Sequence, residues 1–225
     1  MPTPVSTGVV FCSLNITMQR YDLWAVPLFE ATWSQHQEHQ AALKLVCDRL
    51  RESRNTSGVT PHIKPGLYES TFDFVLQQDD SVQAWKRWAS ETVYNAVVST
   101  NLRYWPEGCR VAIEMHESWC HVTDRGGYHD RHTHPNSAWS IIYYLDPAGS
   151  DIGTASGINR FYNPSAMQYS DGGTLWSSES SSVDIEPEAG NMIIFPSWVQ
   201  HAAMPYQGDQ PRYIISANCR VQLLT

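Results

Sequence analysis

The stretch His129-Asp130-Arg131-His132-Thr133-His134-Pro135-Asn136-Ser137-Ala138-Trp139-Ser140-Ile141-Ile142-Tyr143-Tyr144-Leu145 decides how the chain is read. Histidines 129, 132 and 134 stand in a polar loop, and an aromatic and β-branched run from Ala138 to Leu145 follows at once. Such a run reads as a strand. His132 and His134 are two positions apart, and on an extended backbone residues i and i+2 face the same side. Two imidazoles held side by side at the start of a strand can grip one metal ion. The rest of the sequence must then supply a third ligand and a reason to hold a metal.

On both sides of this stretch the texture is that of short strands. Arg110 to Val122 alternates, with Val111, Ile113, Met115 and Trp119 on one side and Ala112, Glu114, His116 and Ser118 on the other. That is the pattern of a half-buried strand. Further strands are expected at 158–162, 174–176, 182–185, 191–195 and 213–224, divided by turns such as Pro187-Glu188-Ala189-Gly190. About seven strands with no helix between them predict an antiparallel sandwich or barrel, of jelly-roll type.

The first half differs. Residues 8–16 begin as an apolar run and read as a strand, 21–29 as irregular chain, and 55–66 as a loop. Thr32 and Gln35 have capping-box spacing, so a helix is expected from there to about Arg54, with Ala42, Leu45, Val46 and Leu50 as its apolar face. A second helix is expected from about Asp79 to Asn101. Trp85, Trp88, Ala89, Thr92, Val93, Ala96 and Val97 recur on one side of it at helical spacing. Both helices need an apolar partner, and the sheet is the available one. The fold class is therefore α+β, mainly β, and one domain is expected over 1–225. Residues 1–106 form a helical and irregular part that covers the sheet, and 107–225 form the β core. His36, His39 and His62 read as surface polar residues.

Composition narrows the functions. The net charge is −8, with no Lys/Arg run, which argues against nucleic acid or an anionic membrane as partner. No stretch approaches the roughly twenty apolar residues of a membrane span, and the first dozen residues lack the pattern of a signal peptide. Five cysteines, at 12, 47, 109, 120 and 219, contain no C-x-x-C pair. They read as reduced thiols in a cytoplasmic protein. Nine tryptophans and eleven tyrosines lean towards β-structure and aromatic pocket walls.

His201 is the candidate third ligand. It follows the apolar strand at 191–195 and a Pro196-Ser197 turn, and so stands at the mouth of a barrel. Three imidazoles on one face, with the opposite face open, suit an oxygen-activating iron, but imidazole also suits Zn, Cu and Ni. Arg212 lies eleven residues later, at the start of the last strand. If its strand neighbours that of His201, Arg212 projects into the barrel behind the metal. A buried arginine needs an anion, and its fork matches a carboxylate. Trp119, His129, Trp139, Tyr143 and Trp198 are candidate walls of a substrate pocket.

Read together, four stretches resemble the 2-oxoglutarate/Fe(II)-dependent oxygenases. They are residues 132–145, Gly157 to Pro164, Ile185 to His201 and Arg212 to Asn218. Within that superfamily they are most similar to a small bacterial and phage branch carrying H-x-H-P. The resemblance spans about 110–222. It implies a double-stranded β-helix, Fe(II), O2, and 2-oxoglutarate as co-substrate, which is decarboxylated to succinate and CO2 as a C–H bond is hydroxylated. It implies His132 and His201 as ligands and Arg212 as the partner of the distal carboxylate, with Tyr144 or Ser216 assisting. Ser216 shares the side of Arg212 by even spacing, whereas Ile214 stands where the superfamily usually has a hydroxyl.

The chain departs from the superfamily at one ligand. The carboxylate usually found two residues after the first histidine is His134 here. Either His134 completes a three-histidine face, or it is no ligand and leaves a water or halide position, or a carboxylate such as Asp130 enters. His129 can also replace either loop histidine. Two other classes compete: a cupin-type metal enzyme that does not use 2-oxoglutarate, and a non-catalytic jelly-roll binding protein. The expected substrate is a small molecule, amino acid or peptide. Oligomeric state is open, a homodimer included.

Overall fold

The computed structural model describes residues 25–53, 65–164 and 181–224. The strands expected at 8–16 and 174–176, the loop at 165–173, most of the loop at 55–66 and the first part of the irregular stretch at 21–29 lie outside the described residues, as do Cys12 and His62.

Ten strands and two long helices are described: β1 (Phe29–Thr32), α1 (His36–Glu52), β2 (Leu67–Glu69), α2 (Asp80–Asn101), β3 (Arg110–Thr123), β4 (His129–His132), β5 (Trp139–Asp146), β6 (Asn159–Tyr162), β7 (Ser182–Ile185), β8 (Asn191–Pro196), β9 (His201–Ala203) and β10 (Arg212–Leu224). They form a six-stranded sheet, β1-β8-β5-β10-β3-β2, and a four-stranded sheet, β4-β9-β6-β7. All strand pairings are antiparallel. The mainly β jelly roll expected from the sequence is what the chain forms.

Side-chain alternation along the central strands builds three layers. In β5, Trp139, Ile141, Tyr143 and Leu145 face the helices, while Ile142 and Tyr144 face the other sheet. In β10, Tyr213, Ile215, Ala217 and Cys219 join the helix-side core, which leaves Arg212, Ile214, Ser216 and Asn218 pointing between the sheets. The helix-side core takes Leu43, Val46, Cys47 and Leu50 from α1 and Trp85, Ala89, Val93 and Val97 from α2. Asp79 caps α2, its side chain accepting from the backbone N–H of Ser81 at 2.9 Å and of Val82 at 3.3 Å. The second helix is thus as the periodicity predicts.

The first helix is not. Thr32 ends β1, the helix begins at His36, and its N-cap is Gln35 with no side-chain cap. Pairing of Thr32 opposite Asn191 takes the hydroxyl residue into the sheet before it can cap. The apolar face is also rotated from the expected one, with Leu43 and Cys47 buried and Leu45 68 % exposed. His36 is not a surface residue. It is 4 % exposed, and its Nδ1 lies 2.7 Å from the Tyr143 hydroxyl. β4 and β9 lie where the sequence reads as loop and turn, because both are short and neither alternates apolar with polar residues.

The largest correction concerns β3. Opposite β10, Asn218 pairs with Glu117 and Cys219 with Met115, so His116 is an inserted residue, a β-bulge. One extra residue reverses the facing of everything beyond it. Ile113 and Met115 pack on the helix side, whereas Glu117, Trp119 and His121 turn towards the space between the sheets. Uniform alternation puts Trp119 with Ile113 and Met115, and the bulge separates them. No helix among the described residues is long and apolar enough to cross a membrane.

Candidate metal centre

A cavity of about 460 Å³ opens between the sheets. His132, His134 and His201 line it, and their ligand-capable nitrogens all lie within 4.8 Å of one another. Strand register accounts for two of the three, since His132 in β4 stands directly opposite His201 in β9. His134 follows β4, where its backbone N–H donates to the Ser197 carbonyl at 3.0 Å. Rings 132 and 201 are 4.3 Å apart between centroids, and rings 134 and 201 are 5.1 Å apart.

Hydrogen bonds select which nitrogen of two rings faces inward. Nδ1 of His132 lies 2.6 Å from the Asp130 backbone carbonyl, and Nδ1 of His201 lies 3.1 Å from that of Val199. A carbonyl only accepts, so each Nδ1 carries its proton and each Nε2 presents a lone pair. Such anchoring of the outer nitrogen is how metal-binding imidazoles are oriented. Nε2 of His134 is 3.3 Å from Nε2 of His201. Bonds of about 2.1 Å from imidazole to metal, meeting near a right angle, separate two nitrogens by about 3 Å. The 3.3 Å separation therefore suits two ligands of a single ion, and strand register holds His132 opposite His201 beside them. On its outer side, Nδ1 of His134 is 3.5 Å from the Asn218 amide.

Burial holds all three imidazoles at about 3, far below the ordinary 6.5. Neighbouring rings add to the effect, His201 on His132, His132 on His134 and His134 on His201. Neutral imidazoles bind metal without first losing a proton. The same depression fixes a sign for stability. Below about pH 6.5 the unfolded chain takes up protons that the folded chain refuses until about pH 3, so acid favours unfolding. The metal-free protein is expected to lose stability steadily from pH 7 to pH 4, read as a falling urea midpoint. A midpoint independent of pH over that range would contradict these environments.

Behind the imidazoles lies Arg212, 2 % exposed. Its Nη2 donates to Oδ1 of Asn159 at 3.1 Å, and its Nε has no hydrogen-bond partner. Among the described residues no carboxylate forms an ion pair with it. Burial lowers its pKa to about 10, a shift that the Tyr144 and Tyr206 hydroxyls partly offset. Tyr144, fully buried in β5, also has a hydroxyl without a partner. Leaving such groups unpaired is costly. Two donors with no acceptor, one of them cationic, mark a place shaped for an anion.

Gly157 closes the wall here. It has φ of +62°, and a Cβ would stand 2.7 Å from Cδ2 of Tyr206, 2.8 Å from the Ser150 hydroxyl and 3.3 Å from Cδ of Arg212. Gly157→Ala is expected to destabilise the chain by about 1–3 kcal/mol, measured by urea unfolding. Wild-type stability in that variant would mean that the wall yields.

Other sequence expectations divide. Trp119 and His129 line the cavity, and so does Ser216. Trp139 does not, because alternation in β5 turns it to the helix-side core, where it is 6 % exposed and packs on Phe29. Tyr143 shares that side and contacts Trp33, Trp85 and Trp88. Trp198 is 55 % exposed on the turn after β8 and is no pocket wall. Arg212 reaches the cavity by another route than expected. Its strand is not a neighbour of the His201 strand, since β9 and β10 belong to different sheets, and it crosses from the facing one. Asn159, Asn218, Glu69 and Glu117 also line the cavity without a motif that points to them, and so does His121, which the sequence reads as an ordinary hydrogen-bonded side chain although a place in a pocket wall is open to it. Asn218 was within reach, because it continues the even spacing of 212, 214 and 216.

The jelly roll thus brings three clustered imidazoles, which could hold a metal ion, beside a buried arginine with an unpaired donor. Comparison narrows the class. Residues 117–218 match the family described as "putative 2OG-Fe(II) oxygenase". Three solved structures share the fold. A Pseudomonas putida prolyl-4-hydroxylase is 16% identical, with a TM-score of 0.55 over 88% of this chain and 95% of that one. A prolyl hydroxylase from Trichoplax adhaerens, in complex with a hypoxia inducible factor peptide fragment, is 15% identical, with a TM-score of 0.54 over 88% and 83%. AviO1 from Streptomyces viridochromogenes Tue57 is 14% identical, with a TM-score of 0.55 over 86% and 89%. No curated protein matches the sequence. The family match spans the stretch that carries His132, His134, His201 and Arg212, and the solved structures show the fold.

Proposed function

We propose that the chain is a non-haem Fe(II)- and 2-oxoglutarate-dependent oxygenase that hydroxylates an unactivated C–H bond of a small molecule, amino acid or peptide, releasing succinate and CO2. The peptide option is supported by the hypoxia inducible factor fragment bound to the similar Trichoplax protein. The observation that carries the reading is the pair of unsatisfied buried donors, Arg212 Nε and the Tyr144 hydroxyl, beside three neutral imidazoles. A cupin that does not use 2-oxoglutarate has no need of a buried cation there.

His132, His134 and His201 hold the iron, which supplies the means of activating O2 for attack on the C–H bond. Arg212 takes the distal carboxylate of 2-oxoglutarate, with Tyr144 donating to the same end and Ser216 lining the path between. Asp130 and Val199 keep two rings turned by their backbone carbonyls. Ile142, Ile214 and Trp119 exclude water from the chamber, which strengthens the ion pair at Arg212. The chain folds and acts as a single domain.

The test is anaerobic titration of the metal-free protein with Fe(II) and then 2-oxoglutarate. A weak visible charge-transfer band is expected only when both are present, and admission of O2 should yield succinate. Absence of both the band and succinate would sink the reading.

A further inference from the structure

We propose that Glu69, His121 and His129 form a second metal site, taking a first-row divalent cation, beside the three-histidine cluster. Their ligand-capable atoms lie within 4.8 Å of one another. The Glu69 carboxylate oxygen is 2.8 Å from Nε2 of His121 and 4.0 Å from Nε2 of His129. Two imidazoles and one carboxylate with open positions are a donor set that holds Fe(II), and Zn(II) accepts the same atoms.

The fold presents these groups before any ion arrives. Glu69 in β2 and His121 in β3 are directly opposite in antiparallel register, so their side chains share one face. The bulge at His116 turns that face into the cavity. His129 begins β4 on the other sheet and closes the third side. All three side chains are mostly shielded, at 13 %, 15 % and 22 % exposure, yet all line the cavity, which gives an ion a way in. A preorganised donor set costs little ordering on binding.

The ring of His129 lies 4.1 Å from that of His132 and 5.8 Å from that of His121. It therefore stands between His121 and the three-histidine cluster. In the plainer reading, Glu69 and His121 are a hydrogen-bonded pair with His129 resting against them. The two readings differ in the number of ions bound.

The experiment is Co(II) titration of the metal-free chain, followed by visible d–d absorption and by equilibrium dialysis. Wild type is expected to bind two ions per chain. Glu69→Ala and, as a second variant, His129→Ala are expected to bind one, with the lost step weakened at least 100-fold. A His134→Ala/His201→Ala double variant is expected to keep one, and circular dichroism confirms folding of each. A single wild-type ion that the double variant keeps and Glu69→Ala loses would support this site even while removing the three-histidine one. A single wild-type ion lost in the double variant would overturn the proposal. So would two ions retained in both Glu69→Ala and His129→Ala.

Discussion

Arg212→Met is expected to raise the KM for 2-oxoglutarate by about 10²–10³-fold while making the metal-free protein more stable. The two effects have one cause. Arg212 is a buried cation with its Nε unpaired and no ion-pair partner among the described residues. Completed by a dicarboxylate, as the proposed function has it, it would make charge-assisted hydrogen bonds, each contributing about 1.5–3 kcal/mol. Removing two of them costs about 3–6 kcal/mol in co-substrate binding, and the lower part of that range corresponds to the expected KM change. With no ligand present, the same charge is desolvated and uncompensated. Methionine has a similar length and no charge to desolvate, so the substitution should add about 1–3 kcal/mol to folding stability. Arg212→Lys keeps a charge but not the fork and should fall between. Tyr144→Phe, which removes a single neutral donor, should cost about tenfold in KM. Succinate production against 2-oxoglutarate concentration gives the first quantity, and urea unfolding of the metal-free chain gives the second. A less stable Arg212→Met protein would mean that the guanidinium is already compensated, and an unchanged KM would place the co-substrate elsewhere.

That contrast of function against stability bears on what the sequence could reveal. Strands β5, β8 and β10 are legible because each faces two apolar surfaces, and Arg212 stands out as a charge at the head of an otherwise apolar run. Even spacing then carries inward the set 212, 214, 216 and 218 without any structure. The assumption of unbroken alternation fails in β3. The inserted His116 leaves only a faint local sign, the charged Glu117 falling between Met115 and Trp119 on the side that alternation makes apolar, and pairing with β10 is what shows the slip. The consequence reaches function, since the slip is what brings Trp119, Glu117 and His121 to the cavity. Trp139 fails for a related reason. Aromatic residues in a three-layer fold serve two cores, and composition does not tell which one a ring enters. At Thr32 the capping box loses to strand pairing with Asn191, a tertiary contact that outweighs about 1 kcal/mol of capping. His132 and His201 were legible as a pair, 69 positions apart, only through the motif around each. Their cross-strand register explains afterwards why they meet.

Under the proposed reading, His201→Ala should abolish Fe(II) binding at the three-histidine cluster and reduce turnover by at least about 10³-fold, and the three imidazoles should not be equivalent. His201 is 3 % exposed, and its outer nitrogen is tied to the Val199 carbonyl, as that of His132 is to the Asp130 carbonyl. Both rings are held with a lone pair directed inward whether or not an ion is present. His134 lacks such an anchor. Its outer nitrogen faces the Asn218 amide nitrogen at 3.5 Å, and that amide already spends its oxygen on Ser140 and a hydrogen on Glu117. To bind an ion through Nε2, His134 must carry its proton on Nδ1, where the nearest group is a donor rather than an acceptor. Loss of an outer partner typically costs 10–100-fold in metal affinity. His134→Ala should therefore weaken Fe(II) by about 10²-fold, less than His132→Ala or His201→Ala. His134→Asp should recover affinity, because a carboxylate needs no proton placed on its far side and adds a negative charge to the ion's surroundings. Chelator competition on the metal-free proteins gives the order, with Glu69→Ala as background so that only one cluster is read. Equal losses at all three positions would show that the Asn218 contact rearranges at no cost. An unchanged affinity in His134→Ala would leave two imidazoles as the protein's share and open the third position to water or a halide.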